Sequence, residues 1–166
     1  MSASDDRSAI LDLIYRYAEL IDAGDFDGVG RLLQRASFGG PRTPTVTGAR
    51  NIAGLFTVVT KRFADGTPKT RHLVLNPIVE IDPGNPDTAT ARSTFCVVQA
   101  TDRLPLQPVV VGRYADEFAR DPGNRGGWHF TSRTAAVEMV GDVSEHLLMD
   151  HRRFDVPSGP PSAASP

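Results

Sequence analysis

The sequence predicts an α+β fold in which helices come first and an antiparallel sheet follows. Three observations carry this. Apolar residues recur at spacings of three and four in three segments that all precede residue 64. Four long stretches between Arg71 and Met139 have extended character. The connections between those stretches, PGNPD, TDRLPLQP and RDPGNRGG, are short and built from turn-forming residues. Long strands joined by short turns favour an antiparallel meander, and helices segregated before it pack on one of its faces.

The first helix runs from Asp5 to Asp22, with Ile10, Leu13, Ile14, Tyr17 and Ile21 on its apolar side and Gly24 as a left-handed stop. Asp25 then caps a short second helix, FDGVGRLLQ, which buries Phe26, Val29, Leu32 and Leu33. The segment ASFGGPRTPTVTG reads as loop with at most a short strand near Val46. In NIAGLFTVVTKRF, Ile52, Leu55, Phe56, Val59 and Phe63 predict a third helix reaching Phe63. The strands are RHLVLNPIVEI, TATARSTFCVVQA, VVVGRYADEFA and WHFTSRTAAVEM. VSEHLLMDHRRF fits a short helix or a last extended piece, so the role of residues 141–155 stays open. Residues 1–155 form one domain, and 156–166 (VPSGPPSAASP, from Val156) are low in complexity and expected to be a disordered tail.

With 166 residues, 40% of them hydrophobic, the chain is long enough for one domain with a buried core. A net charge of -2 gives no basic field for phosphates, so nucleic acid is not an expected partner. No apolar run approaches the ~18 residues of a membrane span, and MSASDDRSA lacks the layout of a signal peptide. A cytoplasmic protein is the expectation, and the single cysteine, Cys96, reads as a small buried hydrophobe.

Asp22 raises a question, because a carboxylate at a helix C-terminus opposes the macrodipole at a cost of roughly 0.3 to 1 kcal/mol. Alone, it reads as a turn aspartate facing water. Alternation in the strand TRHLVLN sets Leu73, Leu75, Val79 and Ile81 on one side and His72, Val74 and Asn76 on the other. The mixed His72 face suits either a solvated surface or a pocket with a few placed polar groups. Tyr17 lies in the apolar arc of the first helix, and Asp22 falls about 140° around from it. Tyr114, Asp116 and Phe118 share one strand face, with Asp116 read as an edge or rim charge. Trp128 and Phe130 alternate with His129, Thr131 and Arg133, so only one of those sets faces a pocket. His146 and His151 are five apart, which is not the spacing that stacks two ligands on a helix, and no metal site is read.

Four pieces in order, YAELIDAGDFD, TRHLVLN, GRYADEF and GGW, resemble the SnoaL-like branch of the nuclear-transport-factor-two superfamily over roughly residues 8 to 140. The resemblance is nearest to its dehydratase type, that of scytalone dehydratase and the bile-acid 7α-dehydratase. It implies a cone-shaped α+β barrel: three N-terminal helices packed on a strongly curved antiparallel sheet that encloses a pocket. It also implies a homo-oligomer, dimer or trimer, formed through the outer face of the sheet.

The resemblance puts Asp22 and His72 on the positions of a catalytic aspartate–histidine pair and Tyr17 on that of a hydroxyl donor. The implied activity is that of a cofactor-independent lyase (dehydratase) or isomerase acting on a hydrophobic, ring-containing small molecule by general acid/base chemistry. Asn76, Arg120, Tyr114 and Asp116 are the implied substrate contacts. Ile21 stands where the scytalone enzyme has a tyrosine, and ARSTFCVVQA lacks that enzyme's second pocket histidine. Other readings are a non-catalytic binding or subunit-support module, and a polyketide cyclase that works through Asp116.

Overall fold

The computed structural model describes residues 3–41, 43–121 and 127–149. Three helices, α1 (Ala3–Asp22), α2 (Phe26–Leu32) and α3 (Ala49–Val59), pack on a six-stranded sheet built from β1 (Ser37–Gly39), β2 (Val46–Thr47), β3 (Thr70–Ile81), β4 (Thr88–Gln99), β5 (Gln107–Arg120) and β6 (Trp128–Val140). The α+β class and the antiparallel meander β3–β4–β5–β6 follow the sequence expectation. The strand order β2-β1-β6-β5-β4-β3 leaves the curved sheet open rather than closed. The expected tail, 156–166, lies outside the described residues.

α1 buries Ile10, Ile14, Tyr17 and Ile21. Its first turn carries Asp5 and Asp6, which suit the positive end of the helix dipole. Asp6 accepts from Arg120 (2.7 Å) and from the Trp128 indole (3.0 Å), and so ties that end to β5 and β6. At the other end, Gly24 (φ 73) donates to Ile21 O and Asp25 donates to Leu20 O, each at 3.0 Å, which together close the helix as a Schellman turn. A Cβ on Gly24 would sit 2.1 Å from Gly66 O, so both conformation and space demand glycine there. The Asp25 side chain then accepts from Gly28 N at 2.8 Å and starts α2.

Two segments depart from the sequence reading. The stretch read as loop contains β1, which pairs antiparallel with β2 and runs parallel along the edge of β6. α3 stops at Val59 instead of reaching Phe63, because the β-branched run Val58, Val59, Thr60 turns extended at Thr60 (φ -106, ψ 125). Thr60 then bridges Leu147, which brings the segment after β6 back over the end of α3.

Four register shifts, at Leu75/Ile78, Val97/Val98, Val111/Gly112 and Glu117/Phe118, insert extra residues and bend the sheet. They also reset which side chains face inward. In β3 the bulge at Asn76 (φ 53) separates two groups that strict alternation would place together. Leu73 and Leu75 point outward while Val79 is buried, and His72 and Val74 point to the helix side. In β6, Phe118 opposes Phe130 and Glu117 opposes Ser132, so Thr131 is the extra residue and Arg133 joins Phe130 on the inner face. The expectation that Arg133 shares a face with His129 fails for that reason.

Candidate active site

The carboxylate of Asp22 collects three donors from the start of β3. Its Oδ2 accepts from the His72 backbone N–H at 2.8 Å, and its Oδ1 accepts from Thr70 Oγ1 at 2.8 Å. The same Oδ1 lies 2.6 Å from His72 Nδ1. Both side chains are largely withdrawn from solvent, with 7% of His72 and 11% of Asp22 exposed. Burial alone would push the Asp22 carboxyl up, but the His72 hydrogen bond, its charge and its backbone N–H, with Thr70, outweigh that and hold it below the usual carboxylate range. An ionised carboxylate can only accept, so Nδ1 of His72 carries the ring proton. In the neutral ring that places the lone pair on Nε2, across from Asp22.

His72 lines a cavity of about 180 Å³ together with Tyr17, Tyr114, Phe95 and Val110. The tyrosine rings meet edge to face, with centroids 5.9 Å apart, and Tyr114 stacks on Phe95 at 4.3 Å. Burial pushes Tyr17 up to about 12 and Tyr114 well above its ordinary value. Both therefore remain protonated donors at neutral pH.

Behind the tyrosines stands a buried cation. The Arg133 guanidinium lies 4.1 Å from the Tyr17 ring centroid and 3.9 Å from that of Tyr114, a stacked cation–π arrangement. Its Nε is 3.3 Å from Asp116 Oδ1, and both side chains are fully buried. Burial raises the Asp116 carboxyl to about 6, with Arg133 opposing.

A model of the SnoaL-like domain family matches residues 2–134. The chain belongs to that family. Among curated proteins, none matches this sequence. An NTF2-like protein with a cystatin-like fold from Novosphingobium aromaticivorans superposes with a TM-score of 0.64 at 24% identity, covering 84% of this chain and 86% of its own. A protein of the same organism provisionally assigned as a scytalone dehydratase does so at 0.62 and 18% identity, over 82% and 87% of the two chains. So does the β subunit of a provisionally assigned aromatic-ring-hydroxylating dioxygenase from that organism, at 0.62 and 17%, over 84% and 93%. At these identities the likeness establishes the NTF2-like fold, which carries more than one role.

Within this SnoaL-like chain the residues singled out from the sequence separate into three groups. Tyr17, His72 and Tyr114 share one cavity wall, with Asp22 gripping His72. Asp116, read as a rim charge, is instead sealed beneath the tyrosines with Arg133 and is not among the residues that line the cavity. Asn76 and Arg120 lie away from it. Asn76 is the exposed left-handed residue of the β3 bulge. Arg120 bridges Asp6 and Asp87 and covers the Trp128 ring.

Sequence reasoning missed two residues. Arg133 was hidden by the bulge at Thr131, which no spacing reveals. His146 was weighed only as a metal ligand, although its apolar surroundings in HLL are a cue to burial; it lines the same cavity as His72. Among the described residues no three His, Cys, Asp or Glu side chains converge on a metal position, and no helix is long and apolar enough to cross a membrane.

Proposed function

We propose that the chain is a cofactor-independent lyase of the dehydratase type, or an isomerase, acting on a hydrophobic ring-containing small molecule. The observation that carries this reading is the 2.6 Å contact between Asp22 and a His72 ring that lines an apolar cavity. Nε2 of His72 removes a proton from carbon next to a carbonyl, and Asp22 stabilises the imidazolium that forms, as the acid of a hydrolase triad does. Tyr17 donates to the oxygen on which charge develops or which departs, with the Tyr114 ring packed edge to face beside it. Arg133 over both rings favours build-up of negative charge there. In this reading the open sheet and its helices act as a cone around the substrate.

The test does not require the natural substrate. A panel of cyclic ketones and β-hydroxyketones is incubated with the protein in deuterated buffer, and exchange at the carbon next to the carbonyl is followed by proton NMR. His72→Gln should remove the catalysed exchange, a loss of roughly 10²- to 10⁴-fold, while leaving the melting temperature close to that of the parent. Exchange that persists in His72→Gln overturns the reading.

A second reading, a binding or subunit-support module, has the fold shared with a dioxygenase β subunit in its favour. Cyclase chemistry led by Asp116 lacks support, since that carboxylate has no place in the cavity wall. Assembly belongs to the proposal too. Leu73, Cys96, Val111 and Met139 are cross-strand partners in one row on the outer face, with Leu73 and Met139 conspicuously exposed. That apolar row suits a homo-oligomer contact.

A further inference from the structure

We infer that His146 is a second polar anchor of this cavity, and that the ligand is a single-ring molecule bearing two oxygen substituents, one met by Tyr17 beside His72 and one by His146. The inference rests on the reading of the His72 site given above and extends it to the ligand's shape.

The position of His146 is built rather than incidental. It follows β6 on a strap, residues 141–149, whose backbone is fastened on both sides of it. His146 N donates to Val143 O and its carbonyl accepts from Lys61 N, each at 2.9 Å. Gln99 Nε2 donates to Glu145 O at 2.8 Å, and Leu148 N donates to Val59 O at 2.9 Å. The Glu145 carboxylate pairs with Lys61 at 2.9 Å. These contacts to β4 and to the end of α3 hold the imidazole in the cavity wall between Val143 and Leu147, which also line it.

Held there, the ring is an expensive choice. Nδ1 of His146 is buried and meets no hydrogen-bond partner in the protein, where a leucine of similar size would incur no such penalty. Burial, reinforced by the nearby His72 and opposed by Asp22, pushes its pKa down to about 4, so the ring is neutral at pH 7 and offers one donor and one acceptor. It therefore complements His72 without repelling it.

The cavity is otherwise apolar, with its few polar groups supplied by Tyr17, Thr60, His72, Tyr114 and His146. Its volume of about 180 Å³ is slightly larger than the ~150 Å³ apolar cavity that accepts benzene, which leaves room for one six-membered ring and a few further atoms. Two spaced oxygens on such a ring satisfy the Tyr17 hydroxyl beside His72 and the His146 imidazole together.

Toluene, phenol and resorcinol offer zero, one and two oxygens on the same ring. Their binding is followed through the imidazole nitrogens of the ¹⁵N-labelled protein and by titration of parent and His146→Leu. Resorcinol should shift the ring nitrogens of both His72 and His146, and His146→Leu should weaken it at least tenfold. Toluene binding and the melting temperature should be unchanged or improved by the same substitution. The inference is overturned if none of the three binds the parent protein, or if resorcinol leaves the His146 nitrogens unmoved. It is equally overturned if His146→Leu lowers the melting temperature and weakens all three alike. A shift at His146 without one at His72 overturns the two-ended ligand together with the His72 reading it rests on; a shift at His72 without one at His146 overturns the inference alone.

Discussion

Asp22 occupies a position that the helix dipole disfavours, and three donors from the first residues of β3 more than offset that cost. Asp22→Asn keeps the shape but can present its amide N–H₂ to His72, which would allow the wrong tautomer. Exchange or turnover should fall by ~10³- to 10⁴-fold with the fold intact, measured by NMR exchange and circular dichroism. Arg133 and Asp116 make a different case. Arg133→Met leaves Asp116 buried without its cation and should cost about 3–5 kcal/mol, whereas the double change Arg133→Met, Asp116→Leu should recover most of that. A double-mutant cycle from urea unfolding checks both values.

At the scale of elements, the join between α1 and α2 depends on one glycine. Gly24→Ala must adopt φ 73 and displace Gly66 O, and should destabilise by roughly 2 kcal/mol or more in thermal melts. This join was legible in the sequence, because a glycine stop followed by an aspartate cap is local chemistry. The four long strands were legible for the same reason, with turn residues bounding β-rich runs. Inward and outward assignment was not. The β3 bulge places Leu73 and Leu75 on the opposite side from Val79, and the extra Thr131 turns Arg133 into the core. Both are set by pairing between strands distant in sequence. His72 and Asp22 could be paired only through a family resemblance, since nothing local to either records a partner 50 residues away.

Over the whole molecule, two buried groups give stability opposite pH dependences. His146 is held at about 4 against an ordinary 6.5, so the unfolded chain takes up its proton first and stability rises with pH across that interval. Asp116 is held at about 6 against an ordinary 3.8, so the folded chain keeps the proton longer and stability falls as pH rises through nearly the same interval. Each contribution is on the order of 3 kcal/mol, and the two largely cancel. Parent stability between pH 4 and 6.5 should therefore change less than that of either single variant. His146→Leu should lose stability as pH rises there, and Asp116→Asn should gain it, as read from urea midpoints at the two ends. On the outer face, Met139→Lys should shift any homo-oligomer toward the monomer in sedimentation velocity.

The strap that carries His146 is tied at its start to Val109 through the Gly141 N–H, and further along to the last residues of α3, to Lys61 and to Gln99. All these ties lie outside the ladders that pair β3 to β6, so their loss frees one wall of the ligand chamber while the sheet stays whole. Gentle heating or dilute urea should therefore silence the protein before its ellipticity changes, and a tight-fitting guest should close that gap.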